Sequence, residues 1–290
     1  MINFSNEKLN MFRYYDGANG SKIGIVYNGK NYMLKFNYAK GMVYRNNYIS
    51  EHLGCEIFKE LGVESQNTIL GTYQIADKMR NVVACEDFIG EGEKLVQFAM
   101  LKNSIVDSSE NGYGTELSEI IDTIEEQQLI PQDKLTEYFW DMFIVDALIG
   151  NFDRHNGNWG FIVNENKSTV RLSPVYDCGS AFYPQMPEDD MLRIMADENE
   201  VNNRIYVFPT SAIKQDGVKI NYFDFISSLT NKDCNKALKK MAQRMNNSRL
   251  KAIIDNADGL SDVQKQFYKF MIIERKKKII DFSFEKLKAI

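Results

Sequence analysis

The sequence is short of the features that mark several protein classes. Its four cysteines, Cys55, Cys85, Cys178 and Cys234, lie far apart with no C-x-x-C pair. That argues against a disulfide framework or a structural zinc site and for reduced thiols. The most apolar stretch, "YFWDMFIVDALIG" (138–150), is too short to span a bilayer and carries Asp141 and Asp146. The opening residues MINFSNEKLN have neither the basic nor the apolar region of a secretory signal. A cytoplasmic protein without membrane contact is expected, with signal-less export as the alternative. Positive charge is not in excess, since 35 Lys and Arg against 40 Asp and Glu leave a net −5. Nucleic acid is therefore not expected as a direct partner, although a local basic patch is compatible with that balance. Internal repeats and low-complexity tracts are absent. The 290 residues suffice for one large domain, or one domain in two lobes, around a sizeable core.

What is present begins with a hairpin. In "SKIGIVYNGKNYMLKFNY" (21–38), Ile23, Ile25 and Tyr27 alternate before Asn28-Gly29, and Tyr32, Leu34 and Phe36 alternate after it. An Asn-Gly pair between alternating strands is the residue choice of a type I′ turn. Lys35 then points to the face opposite Leu34 and Phe36. Ile49, Leu53, Ile57 and Leu61 predict a helix over 46–63 that ends near Gly62. Strands are expected at 67–76 and 81–88. Beyond Gly90 helices are predicted over 114–130 and 134–150, a short hairpin at 159–163 and 168–175, and a largely helical last hundred residues. The expected fold is α+β and bilobal, with a small β-rich lobe (1–88) and a larger, mainly helical lobe (89–290).

The stretch "LIGNFDRHNGNWGFIV" (148–163) sets Asn151, Asp153 and Asn158 around the chain's one Arg-His pair, between an apolar helix and an apolar strand. Asp177 follows the second strand of the short hairpin. A tight hairpin brings its outer ends together, so Asn158 and Asp177 should be neighbours with Asp153 beside them. Oxygen ligands of this kind suit magnesium shared with phosphates. Phosphoryl transfer also needs a base, a cation on the phosphates and a cover. Asp153 is the expected base. Lys35 is expected on the α- and β-phosphates, paired with Glu51 or Glu56. "DGANGSK" (16–22), containing Gly17, Ala18, Asn19, Gly20 and Ser21, is the expected cover, although its glycine spacing is not G-x-G-x-x-G.

The ordered set "GANGSK" (17–22), "MLKF" (33–36), "SEHLGCEIFKELGV" (50–63), "CEDF" (85–88), "GNFDRHNGN" (150–158) and "VYDCGSAF" (175–182) resembles the HipA-like serine/threonine kinases, in particular their short, single-module members. The D-R-H-x-x-N block is shared with phosphoinositide-type kinases. The resemblance runs over most of residues 14–185; "FPTSAI" and "KINYFDFI" later in the chain also resemble the short members. It implies a protein-kinase-like fold, ATP and magnesium, and transfer to a protein serine or threonine, often with autophosphorylation. It also implies, for some members, a toxin role and an antitoxin partner. By this resemblance Asp153 is the catalytic base, Asn158 and Asp177 are metal ligands, and Lys35 binds phosphate. Glu86, Asp87 and Phe88 form the hinge that meets adenine, and Arg154 and His155 brace the loop. The extra N-terminal subdomain of the long members is not expected. Their regulatory serine is replaced by Tyr14-Tyr15-Asp16, which leaves Ser21 as a candidate autophosphorylation site. A lipid or small-molecule kinase, or a nucleotide-binding scaffold without turnover, would use the same residues. His52 is expected on a helix surface, Trp140 and Trp159 in the core, and Arg275–Lys278 and Glu116–Glu126 on solvated faces.

Overall fold

A computed structural model describes residues 1–11, 22–36, 46–106 and 110–290. The first part of the chain builds a six-stranded sheet from β1 (Ile2–Asn3), β2 (Lys8–Leu9), β3 (Ile23–Tyr27), β4 (Lys30–Phe36), and, after helix α1 (Asn47–Glu60), β5 (Thr68–Ile75) and β6 (Lys78–Glu86). Its order is β1-β5-β6-β4-β3-β2, with β1 parallel to β5. The predicted hairpin is β3–β4, and Asn28 and Gly29 both have positive φ (48° and 75°), as a I′ turn requires. The edge strands β1 and β2 were not expected, because two-residue strands carry no readable alternation.

Strand β4 divides the sheet's two faces. Tyr32 and Leu34 join Phe4, Ile25, Val82 and Ala84 in a small outer core. Lys35 pairs in register with Val83, and Met33 with Cys85. Paired residues share a face, so Lys35 looks toward α1, whose Ile49, Leu53 and Ile57 are buried with Val83 and Cys85. Helix α1 buries more than the predicted stripe: Ser50, Glu51, Gly54 and Cys55 are also inside. It is covered by the sheet on one side and by helices of the larger part on the other.

The chain continues through β7 (Glu93–Gln97), α2 (Phe98–Ile105), α3 (Leu117–Glu126), α4 (Gln132–Ile149), β8 (Gly160–Asn164) and β9 (Thr169–Leu172). The predicted hairpin is β8–β9, and β7 adds a third, unpredicted strand to it. Helix α4 is buried along most of its length and stops at Gly150 in the left-handed conformation (φ 66°), the backbone state that favours glycine. Trp140 and Trp159 are core residues, as expected, and Trp159 stacks on Phe98.

The remainder comprises α5 (Glu188–Met195), α6 (Glu198–Asn202), the small hairpin β10 (Lys214–Gln215) and β11 (Val218–Lys219), α7 (Tyr222–Ser228), α8 (Lys232–Arg244), α9 (Asn247–Asn256), α10 (Asp262–Arg275) and α11 (Phe282–Lys288), with π-helical turns at Asn203–Val207 and Lys276–Asp281. Two expectations about this region and its neighbours are corrected. Arg275 is 1% exposed rather than solvated, because its guanidinium reaches the carbonyls of Ala147 (2.8 Å) and Arg204 (2.7 Å), and Lys276 is buried beside it. His52 is half-buried, its Nδ1 2.9 Å from the Thr68 hydroxyl. Among the described residues no helix is long and apolar enough to cross a membrane.

Candidate active site

The loop after α4 is built on a buried ion pair. Asp146, inside the apolar helix, accepts from Arg154 Nε (2.9 Å) and Nη2 (3.3 Å) and from Asn151 Nδ2 (2.9 Å). Burial pushes the Asp146 carboxyl up, against the pull of Arg154. The same guanidinium donates to the carbonyls of Asn158 (3.0 Å) and Tyr176 and to Cys178 Sγ (3.3 Å). One buried side chain therefore ties the start of β8 to the segment after β9, which is how Asn158 and Asp177 come together. Tyr176 closes the arrangement by donating its hydroxyl to the Gly157 carbonyl (3.1 Å). His155 Nδ1 accepts from the Gly157 amide (3.0 Å). Both members of the Arg-His pair thus hold the loop's shape.

Asp153 stands on this frame with its amide on Asn151 Oδ1 (3.2 Å). Its side chain is exposed, and its carboxylate accepts no hydrogen bond among the described residues. Desolvation by the surrounding loop raises its pKa, with His155 and Lys219 pulling the other way. Asn158 donates its amide N–H to the Asp153 carbonyl (2.9 Å).

Asp177 occupies the left-handed region (φ 58°), a strained state for a residue with a Cβ. Its amide donates to Glu51 Oε1 (3.0 Å). Lys35 Nζ reaches both Glu51 Oε1 (3.0 Å) and Asp177 Oδ1 (3.1 Å). One ammonium thus joins strand β4, helix α1 and the loop after β9. Burial alone would lower the Lys35 pKa, but the two carboxylates together hold it well above the usual lysine range. Lys35 in turn draws Asp177 below the usual carboxylate range. Of the two candidates on α1, Glu51 meets Lys35, whereas Glu56 pairs with Lys59 (2.7 Å).

The donor set fits a hard divalent cation. Asn158 Oδ1 and Asp177 Oδ2 are oxygens with no donor among the described residues. No cluster of three or more His, Cys, Asp or Glu side chains that could hold a metal alone occurs among those residues. Such a sparse set suits magnesium whose remaining ligands are waters and substrate phosphates.

At the hinge the backbone of Glu86 is already engaged: its amide donates to Asn67 O (2.8 Å) and its carbonyl accepts from Gln66 Nε2 (2.9 Å). Its carboxylate pairs with Lys30 (2.8 Å). Asp87 donates its amide to Asn31 O (2.8 Å). The Phe88 amide donates to no described residue, and its carbonyl accepts from Arg171 (3.3 Å). The expected cover, Gly17 to Ser21, lies outside the described residues. Asp146 was missed as a site residue. Its signal is a carboxylate within an otherwise buried helix, eight residues before the only arginine of the loop.

The chain is similar to known proteins over most of its length. The HipA-like C-terminal domain family matches residues 8–255. The serine/threonine-protein kinase CtkA of Helicobacter pylori is 41% identical over 285 residues, covering 97% of this chain and 86% of the relative. The crystal structure of the H. pylori proinflammatory kinase CtkA superposes with a TM-score of 0.93 at 40% identity, over 98% of this chain and 97% of that one. HipA from the Shewanella oneidensis toxin–antitoxin complex with HipB and operator DNA superposes with a TM-score of 0.53 at 15% identity, over 96% of this chain and 70% of that one; at that identity it shares the fold.

Proposed function

From the premise that this chain belongs to the HipA-like C-terminal domain family, we propose how its residues divide the work of phosphoryl transfer. The chain is a serine/threonine protein kinase that uses ATP. In our reading the acceptor hydroxyl attacks the γ-phosphorus, its proton passes to Asp153, and the bond to the bridging oxygen breaks to release ADP. Asp153 suits this role because its carboxylate is exposed and uncommitted among the described residues and its pKa is raised toward the working range of a base. Lys35, fixed by Glu51, meets the α- and β-phosphates. Asn158 and Asp177 would hold magnesium, which would supply positive charge against the charge that develops on the phosphates. The Phe88 amide is the hinge donor to adenine, and residues 1–88 and 89–290 are the two lobes whose join it marks. Ser21 is our candidate for autophosphorylation.

The observation that carries this reading is the single Lys35 ammonium bonded to both Glu51 and Asp177. Incubation with labelled ATP and magnesium, alone and with a cell lysate, should label protein, and Asp153→Asn and Asp177→Asn should abolish the label. Label confined to lipid would point to a lipid kinase, and nucleotide binding without label to a scaffold. A toxin role with a separate antitoxin follows from the family alone. Bacterial growth that is equal on expressing wild type and Asp153→Asn would count against it.

A further inference from the structure

The segment 206–222 is clipped onto the loop that carries Asp153, and the kinase mechanism leaves it unused. Two contacts hold it there. The Tyr222 hydroxyl donates to the Asn151 carbonyl (2.6 Å), two residues before Asp153. The Phe208 ring packs on Phe152, the residue immediately before Asp153 (centroids 5.8 Å apart). Between these anchors the chain is drawn into a small hairpin by Ser211 N to Ile220 O (2.8 Å) and Ile220 N to Ile213 O (2.9 Å), and the far side is fixed where Lys214 donates its amide to Thr115 O (2.8 Å).

What this segment shows to solvent is unusual for a well-anchored element. Val207, Phe208 and Val218 are 61%, 50% and 70% exposed. In the hairpin Lys214 stands directly opposite Lys219, so the two side chains share a face. Neither ammonium lies within ion-pair distance of a carboxylate among the described residues. Glu116, bridged to Lys214 along the backbone, turns its carboxylate instead to the amides of Asp216 (2.7 Å) and Gly217 (3.0 Å). Like charges facing each other on a ladder are destabilising, and here they persist on a protein whose net charge is −5. An anionic visitor would relieve them. Lys219 lies three residues before Tyr222, whose hydroxyl anchors the segment on the Asn151 carbonyl.

We infer that Phe208, with Val207 and the Lys214–Lys219 hairpin, forms the docking ledge for the acceptor polypeptide and selects a serine or threonine flanked by an acidic residue and an apolar one. The inference rests on the kinase reading above and adds to it the substrate class. A protein acceptor fits better than a free small molecule, because the ledge extends from Phe152 out to the hairpin and offers charge and apolar contact at separate points.

The test is a positional-scanning library of serine-centred peptides with labelled ATP and magnesium. Wild type should favour Asp or Glu over Lys at a flanking position by about threefold to tenfold, the size expected of one or two solvent-screened ion pairs, and the preference should shrink as salt rises. Charge reversal, Lys214→Glu with Lys219→Glu, should turn the selection toward basic peptides. The milder Lys214→Gln with Lys219→Gln should flatten it. Phe208→Ala should flatten the apolar preference and leave the charge preference in place. Each preference is a ratio measured within one enzyme preparation, so a partly unfolded variant lowers both rates together and leaves the ratio unchanged. A wild type that labels peptides without acidic preference, or reversed variants that keep it, overturns the ledge while the kinase reading stands. A wild type that labels no peptide in the library and hydrolyses no ATP overturns both.

Discussion

On the helical side of the cleft Arg154 directs its guanidinium to Asp146, Asn158, Tyr176 and Cys178, all within a buried frame. On the sheet side Lys35 reaches two carboxylates, and one of them, Asp177, belongs to the opposite wall. The first arrangement is closed: every one of these Arg154 bonds is made to the chain itself. The second is open, because in the proposed reading phosphates and a cation would share Lys35 and Asp177 with each other. The helical half is thus preorganised by burial, and the sheet half is coupled to it through the Lys35 ammonium. Preorganised groups cost no rearrangement during the reaction, and a shared cation makes the closed geometry dependent on what occupies the cleft.

The largest expected effect breaks the chemistry and spares the frame. Asp153→Asn should lower kcat by about 10²–10⁴-fold while leaving the melting temperature within about a degree, since its carboxylate holds nothing in place. A melting loss as large as that of a core variant would mean that Asp153 is structural.

Next in size, Arg154→Leu should leave Asp146 charged and unpaired in the interior, at about 3–5 kcal/mol of stability. Adding Asp146→Leu should restore much of that stability, because an apolar pair of similar volume often replaces a buried ion pair without loss. Activity should stay low in the double variant, since the carbonyls of Asn158 and Tyr176 still lack their common donor. Denaturant unfolding and turnover measured on the same three proteins separate the two effects; joint recovery would make the pair a matter of stability alone.

On the sheet side Glu51→Gln should cost less. Lys35 keeps Asp177, the fold keeps its core, and kcat/KM should fall about tenfold to a hundredfold, as for a lost hydrogen bond to a charged group. The loss should appear mainly in KM for ATP. Gly54→Ala offers a sharper version. A Cβ there would lie 2.5 Å from Cys178 Cβ, so α1 must move off the loop that carries Asp177. Its effect should match that of Glu51→Gln in KM although no charged group is removed.

The same contrast explains what could be read from the sequence. Lys35, Asp153, Asn158 and Asp177 were legible because each lies at a position fixed by short-range rules: a strand after an Asn-Gly turn, the end of a glycine-stopped helix, the two mouths of a hairpin. Glu51 and Glu56 were left as alternatives, because both lie on α1 and only tertiary packing decides which one faces β4. The Arg154–Asp146 pair was half legible, since its members lie eight residues apart and one of them sits in a helix whose apolar pattern hides it. Arg275 was misread because periodicity cannot show that carbonyls of Ala147 and Arg204 wait across the core. Strands β1, β2 and β7 owe their pairing to distant partners and carry little local pattern.

The smallest expected effect sharpens the comparison through pH. Asp153 has its pKa raised by desolvation, and Asp177 has its pKa lowered by Lys35. The acid limb of kcat/KM should therefore lie above about 3.9, the ordinary aspartate value, as Asp153 takes up a proton and ceases to be a base. Stability runs the other way at Asp177. Its contribution is present above about 3.9 and is lost as pH falls through its lower folded value. Activity should thus fall while the Lys35–Asp177 link is intact, and pH-rate and pH-melting profiles should be displaced from each other in that order. Lys219→Gln removes a cation that opposes the rise at Asp153, so it should move the acid limb to higher pH by less than about one unit, given solvent screening. It should leave the melting profile where it was. An acid limb that does not move in Lys219→Gln would assign that titration to a group other than Asp153.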